Sequence, residues 1–177
     1  MITLKPLSAD AIPAALAKAE RYRLLNEPDQ AESICLDILA AEPGRREAVV
    51  TLLLALTDRF GKDDGAPVSR AQALAATLES SYERAYYRGL VAERRARALL
   101  DSHSPGRARS AGIWIREAME HFEEAEGLRP PGNDDARLRW NACARLLNAH
   151  PNLREIDTEP ATPLMLCLLY TSPSPRD

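Results

Sequence analysis

A chain of 177 residues has room for one domain with a full hydrophobic core and little room for a second. Its formal net charge of −3 gives no field strong enough to mark a nucleic-acid binder, and the acidic excess is too small to keep the chain unfolded. An aromatic content of 5% and a wealth of Ala, Leu, Glu and Arg favour helix, and no run alternates apolar and polar residues for long enough to argue a strand.

The first helix is expected over 10–25. Asp10 is placed to cap it, and Pro13 falls in the opening turn, where a missing N–H costs little. Leu16, Ala19, Tyr22 and Leu25 follow one another at three-residue steps as its apolar stripe. Asn26-Glu27-Pro28-Asp29 reads as a tight turn, with Pro28 suited to the first position of a second helix over 28–41. That helix is expected to bury Ala31, Ile34, Cys35, Ile38 and Leu39, and Pro43-Gly44 stops it. A third, over 45–60, is apolar on nearly every side through Ala48, Val49, Val50, Leu52, Leu53, Leu54 and Leu56. A helix without a polar face is covered on several sides, so this one is expected between its neighbours, with Leu53 among the least replaceable residues. Gly61 is placed to end it.

After the loop 62–67, a fourth helix over 68–80 carries Ala71, Leu74, Ala75 and Leu78. The fifth, over 82–100, carries Ala85, Tyr86, Gly89, Leu90, Ala92, Ala96, Leu99 and Leu100. Glycine inside a helix costs about 1 kcal/mol relative to alanine, and close approach by a neighbouring helix's backbone is the expected reason for Gly89. A break at 101–106 precedes a sixth helix over 107–127. Ala111, Trp114, Ile115, Ala118, Met119, Phe122 and Ala125 line one of its sides, and Arg116, Glu117, Glu120, Glu123 and Glu124 the other. Pro130-Pro131-Gly132 ends it. Asn133 is placed to cap a seventh helix running to His150, with Asp134 and Asp135 favoured in its first turn by the helix dipole. Leu138, Cys143 and Leu146 or Leu147 form its expected buried side, and Pro151 closes it.

The expected organisation is an all-α helical domain over 1–151, followed by a flexible polar extension over 152–166. The last eleven residues, 167–177 (CLLYTSPSPRD), resemble the in-frame translation of a sequencing-library adapter and stand outside the fold expectation. Cys35, Cys143 and Cys167 are odd in number and without CxxC spacing, which argues reduced thiols and a cytoplasmic chain. No stretch approaches the roughly twenty apolar residues that span a membrane, and the first residues lack a secretory pattern.

Groupings that could carry chemistry are few. Glu117, His121 and Glu124 share one helix face and could begin a metal site, but no second helix offers matching ligands, so a solvated face is favoured and no metal or other cofactor is expected. Arg88, Arg94, Arg95 and Arg97, with Arg107 and Arg109 beyond, form a basic sector suited to phosphates or an acidic peptide. The acids near them favour intramolecular pairing, and the overall charge disfavours nucleic acid. Ser102, His103 and Ser104 lack an orienting carboxylate, and GKDDGA lacks the spacing of a phosphate-binding loop. Trp114 and Trp140 fall on helical stripes and read as core. None of this argues an enzyme.

The stretch 117–131 (EAMEHFEEAEGLRPP) echoes 30–44 (QAESICLDILAAEPG): Ala118, Phe122, Ala125 and Pro130 repeat the spacing of Ala31, Cys35, Ile38 and Pro43. With Ala19 and Tyr22 ahead of the first set, and Tyr86 and Gly89 ahead of the second, this resembles tetratricopeptide (TPR) repeats of uncharacterised bacterial type. The resemblance is divergent: the family's tryptophan position holds Ala15, and the break at 101–106 replaces a tight turn. It implies a solenoid of about three hairpins and a terminal helix, about seven helices over roughly residues 10–150, acting as a non-catalytic scaffold that binds a peptide or partner helix. By their place in the resemblance, Glu20, Arg23, Leu24, Tyr86, Leu90, Glu93 and Arg94 would line the concave groove.

Overall fold

The computed structural model describes residues 2–61, 66–102 and 106–153, and among these it contains seven α-helices and no strand. His103, Ser104, the loop residues 62–65 and the whole of 167–177 lie outside the described residues, as does the expected extension beyond residue 153.

α1 (Ile12–Leu24) follows a single 3-10 turn, Ala9–Ala11. Asp10 sits within that turn and does not cap α1: the Ala11 N–H already reaches the Ser8 carbonyl at 3.1 Å, so the turn's own backbone leads the chain into the helix. Pro13 lies in the first turn, as expected. Asn26 ends α1 in the left-handed region, φ 59°, where Asn is one of the few tolerated side chains, and the Glu27 N–H closes onto the Tyr22 carbonyl at 2.9 Å. α2 (Pro28–Ala41) opens on Pro28, and Gly44, φ 83°, turns the chain into α3 (Arg46–Thr57).

α4 (Ala66–Thr77) and α5 (Ser81–Asp101) meet at Ser80, whose hydroxyl accepts the Glu83 N–H at 3.4 Å as a helix cap. α6 (Arg107–Leu128) starts from Gly106, and α7 (Asp135–Ala149) is led by Asn133, whose side chain accepts the Asp135 N–H at 3.0 Å. A second 3-10 turn, Pro151–Leu153, follows α7.

Each helix packs on the next one along the chain, and α3 also touches α1 and α5. That places α3 inside, as its all-round apolar sequence demands: Leu53, Ala55 and Leu56 are fully buried. One core cluster joins Ala19, Cys35, Leu53, Leu56, Ala71, Ala75 and Val91 across α1 to α5. A second joins Ala96, Ala111, Ile115, Ala118, Phe122, Cys143 and Leu153 across α5, α6, α7 and the last turn. The echoed residues Ala31, Cys35 and Ile38 of α2, and Ala118, Phe122 and Ala125 of α6, all have 0% exposure. Alanine at these places lets backbones approach, and the larger residue fills the gap beside it.

Two expected core residues lie outside. Leu25 is 60% exposed because α1 stops at Leu24, so the stripe does not continue through it. Leu138 is 64% exposed: it stands two residues beyond the buried Ala136, about 200° around the helix, while Trp140, Cys143 and Leu147 carry the inward side. Asn152 and Leu153 also depart from the flexible extension expected there, since Leu153 is buried to 1% exposure.

Candidate interaction surface

The last turn of α3 gathers charge from three helices. Asp58, at the α3 C-terminus, accepts Arg23 Nε of α1 at 2.8 Å on one oxygen and Arg94 Nη1 of α5 on the other. Arg94 also donates to the Thr57 hydroxyl at 2.8 Å, and that hydroxyl donates to the Leu54 carbonyl at 2.7 Å. The two arginines and the aspartate are all half-buried, so the site is neither a screened surface pair nor a fully desolvated one. The sequence separations across Asp58 are 35 and 36 residues, and the contact sets the C-terminal ends of α1 and α3 beside the middle of α5.

A second cluster ties α5 to α7. Glu93 is 1% exposed, accepts Arg97 Nε at 3.0 Å and Nη2 at 2.9 Å on one oxygen, and receives Arg139 Nη1 at 3.4 Å on the other. A third joins α2 to the segments after it: the buried Glu32 faces Arg59 at 2.7 Å and Arg70 at 2.6 Å. Each acid holds two arginines, which is how a carboxylate in a low-dielectric site keeps its charge compensated.

The expected groove residues divide accordingly. Arg23 and Arg94 are brought together, on Asp58. Tyr86 is half-buried, with its ring centroid 5.8 Å from that of Tyr82 and 5.9 Å from that of Phe122. Leu90 at 3% exposure and Glu93 at 1% are inside the protein and present no groove surface. They sit on the flank of α5 that faces its neighbours, and Glu93 is consumed by its two arginines. Glu20 is exposed, and Leu24 is 88% exposed, the most uncovered large apolar side chain of any helix here. Asp58 and Arg139 were not anticipated. The signal that could have found Asp58 was the recurrence of a charged residue about 35 positions apart, after Arg23 and before Arg94.

His121 lies between two carboxylates of its own helix, with Nε2 4.0 Å from Glu117 and Nδ1 3.7 Å from Glu124. With Gln72 and Arg88 it lines a cleft of about 280 Å³ between α4, α5 and α6. Among the described residues no group of three or more metal-ligating side chains could hold an ion. The basic sector is partly spent internally: Arg94 on Asp58, Arg97 on Glu93, and Arg107 on the Ser102 carbonyl. Arg97, Arg107 and His150 rim an open cleft of about 490 Å³ over Leu100, Ala108 and Leu146. Burial pushes the Cys35 and Cys143 thiols up to about 12, which leaves them protonated and inert as nucleophiles at neutral pH. Among the described residues no helix is long and apolar enough to cross a membrane. No protein-family model, no curated protein and no solved structure matches the chain.

Proposed function

We propose that the chain is a TPR-like helical-hairpin solenoid that works as a non-catalytic protein-interaction module. The observation that carries this reading is the Arg23–Asp58–Arg94 relay, with its steps of 35 and 36 residues. Side chains from α1, α3 and α5 meet there at nearly equal sequence steps, as hairpins of one repeat length would bring them together. The equal burial of Ala31, Cys35 and Ile38 with Ala118, Phe122 and Ala125 supports the same repeat. On this reading α1, α3 and α5 share one face, and at its α1 end that face offers Leu24 beside Glu20. An uncovered leucine next to a carboxylate suits a peptide or partner helix with an apolar residue next to a basic one. Arg23, Arg94 and Tyr86 border that face and shape it. The two free buried thiols support a reducing, cytoplasmic setting.

The test compares the proteins retained from source-cell extract by the full chain and by a Leu24→Asp, Glu20→Arg double variant. Circular dichroism of the two should superimpose, because both side chains are exposed. A partner retained by the native chain and lost by the variant supports the reading. An identical retained set, or none in either case, overturns the assignment of this face.

A further inference from the structure

The last turn is small, yet it does the packing of a much larger element. Leu153 belongs to a 3-10 turn of three residues and is nevertheless among the largest fully buried side chains of the protein. It fills the flank of α6 within the cluster that holds Ala111, Ile115 and Cys143. The α6 surface is cut to receive it. A Cβ at Gly112 would stand 2.3 Å from the Leu153 carbonyl oxygen, a separation no real side chain tolerates. Arg116 Nη1 then bridges helix and turn, donating to the Gly112 carbonyl at 3.0 Å and to the Leu153 carbonyl at 3.2 Å. The turn itself is held to α7 by the Leu153 N–H on the His150 carbonyl at 3.0 Å. The opposite end has a simpler counterpart, where Leu7 covers Ile12, Ile38 and Ala48 from outside the helices.

Among the described residues α6 and α7 are the last helix pair, and a helix flank without a helical neighbour needs another cover. We propose that Pro151–Leu153 is a built-in end-stop that seals the α6–α7 flank and opens as a local unit ahead of the rest of the fold. Among the described residues, one buried side chain, one bridging guanidinium and one backbone hydrogen bond fasten it, and so small a segment opens at lower free energy than the global transition. The inference rests on packing alone and stands whether or not Leu24 meets a partner.

The two buried cysteines report on it separately, because Cys143 shares the cluster of Leu153 and Cys35 belongs to the other. In the 177-residue chain carrying Cys167→Ser, reaction with an aromatic disulfide reagent should label Cys143 at least about tenfold faster than Cys35, as a local opening free energy below the global one requires. Gly112→Ala, which pushes the turn away and leaves the Leu153 side chain unaltered, should accelerate Cys143 at least a further tenfold while Cys35 stays protected. Arg116→Gln should accelerate Cys143 alone by a smaller factor. Equal rates at both cysteines in the parent chain, or equal acceleration of both by Arg116→Gln, would overturn the proposal. If Gly112→Ala fails to fold, so that both thiols react as in denaturant, Arg116→Gln alone decides: selective labelling of Cys143 supports the end-stop, and no change rejects it.

Discussion

The ring of Phe122 occupies the volume that a side chain at Gly89 would need, and a Cβ built there comes within 2.7 Å of it. Gly89→Ala therefore sets two effects against each other. Alanine gains about 1 kcal/mol of helix propensity, whereas forcing a methyl into a filled core costs about 1–3 kcal/mol. Phe122 is fully buried and its ring also meets Tyr86, so it has no free direction in which to yield. The steric term should win, giving a net loss of up to about 2 kcal/mol in urea denaturation. Pairing the change with Phe122→Leu should recover part of that loss.

That contact marks the limit of what the sequence made legible. A helical glycine announces that something comes close, and the neighbouring backbone was the natural candidate; a ring from α6 fills the space instead. Helix existence and bounds were readable because prolines, glycines and the stripes of Ala and Leu act within a few residues. Leu138 misled because an isolated leucine on a short polar helix carries no partner information, and its true register follows from Ala136 and Cys143. The charge clusters were hidden for a different reason. Arg23, Asp58 and Arg94 are brought together only by stacking. Arginines that look like a basic surface in one dimension are then found compensated in three.

The Glu93 cluster predicts an asymmetry between its two sides. Glu93 is 1% exposed, whereas Arg97 and Arg139 side chains keep 48% and 41% of their surface. Glu93→Gln releases two arginines that can rehydrate where they stand, and should cost about 1–2 kcal/mol. Arg97→Met with Arg139→Met strands a buried carboxylate and should cost about 3–5 kcal/mol. Chemical denaturation of the two variants checks the order; a double methionine variant milder than Glu93→Gln would show that the buried carboxylate has other compensation.

Asp58 should behave as the hub of one network. Arg23→Met and Arg94→Met each remove one arm, and with the hub half-buried each should cost about 1 kcal/mol. Their combined effect should differ from the sum by 0.5 kcal/mol or more, roughly the coupling found where two residues share a partner. In an Asp58→Asn background that coupling should vanish. Raising the salt concentration should shrink it only in part, because the pairs are shielded from solvent on one side.

Leu53 tests the inner position of α3. It is fully buried in the cluster that joins α1 to α5, so Leu53→Ala should cost about 2–5 kcal/mol. Leu53→Asp adds an unpaired charge to that cavity and should abolish cooperative unfolding altogether. Val50→Asp, one turn away and only half-buried, should leave a folded, weaker protein. Near-ultraviolet circular dichroism and thermal melts separate these outcomes.

The buried thiols give stability a defined pH dependence. Desolvation raises Cys35 and Cys143 from 9.0 to about 12 in the folded chain, so between those values the unfolded chain gives up protons that the folded chain retains. Their contribution is therefore complete below pH 9 and is lost as pH rises toward 12, at up to about 1.4 kcal/mol per pH unit for each thiol. Burial raises Tyr87 as well, which extends the same trend above its ordinary value of 10.0. Thermal midpoints should be flat from pH 7 to 8.5 and then fall steeply. Cys143→Ala should flatten that alkaline limb by close to one thiol's share even if its midpoint at pH 7 is lower. An unchanged alkaline slope in the variant would mean that Cys143 ionises as readily folded as unfolded, and that the cluster around Phe122 is not closed to water.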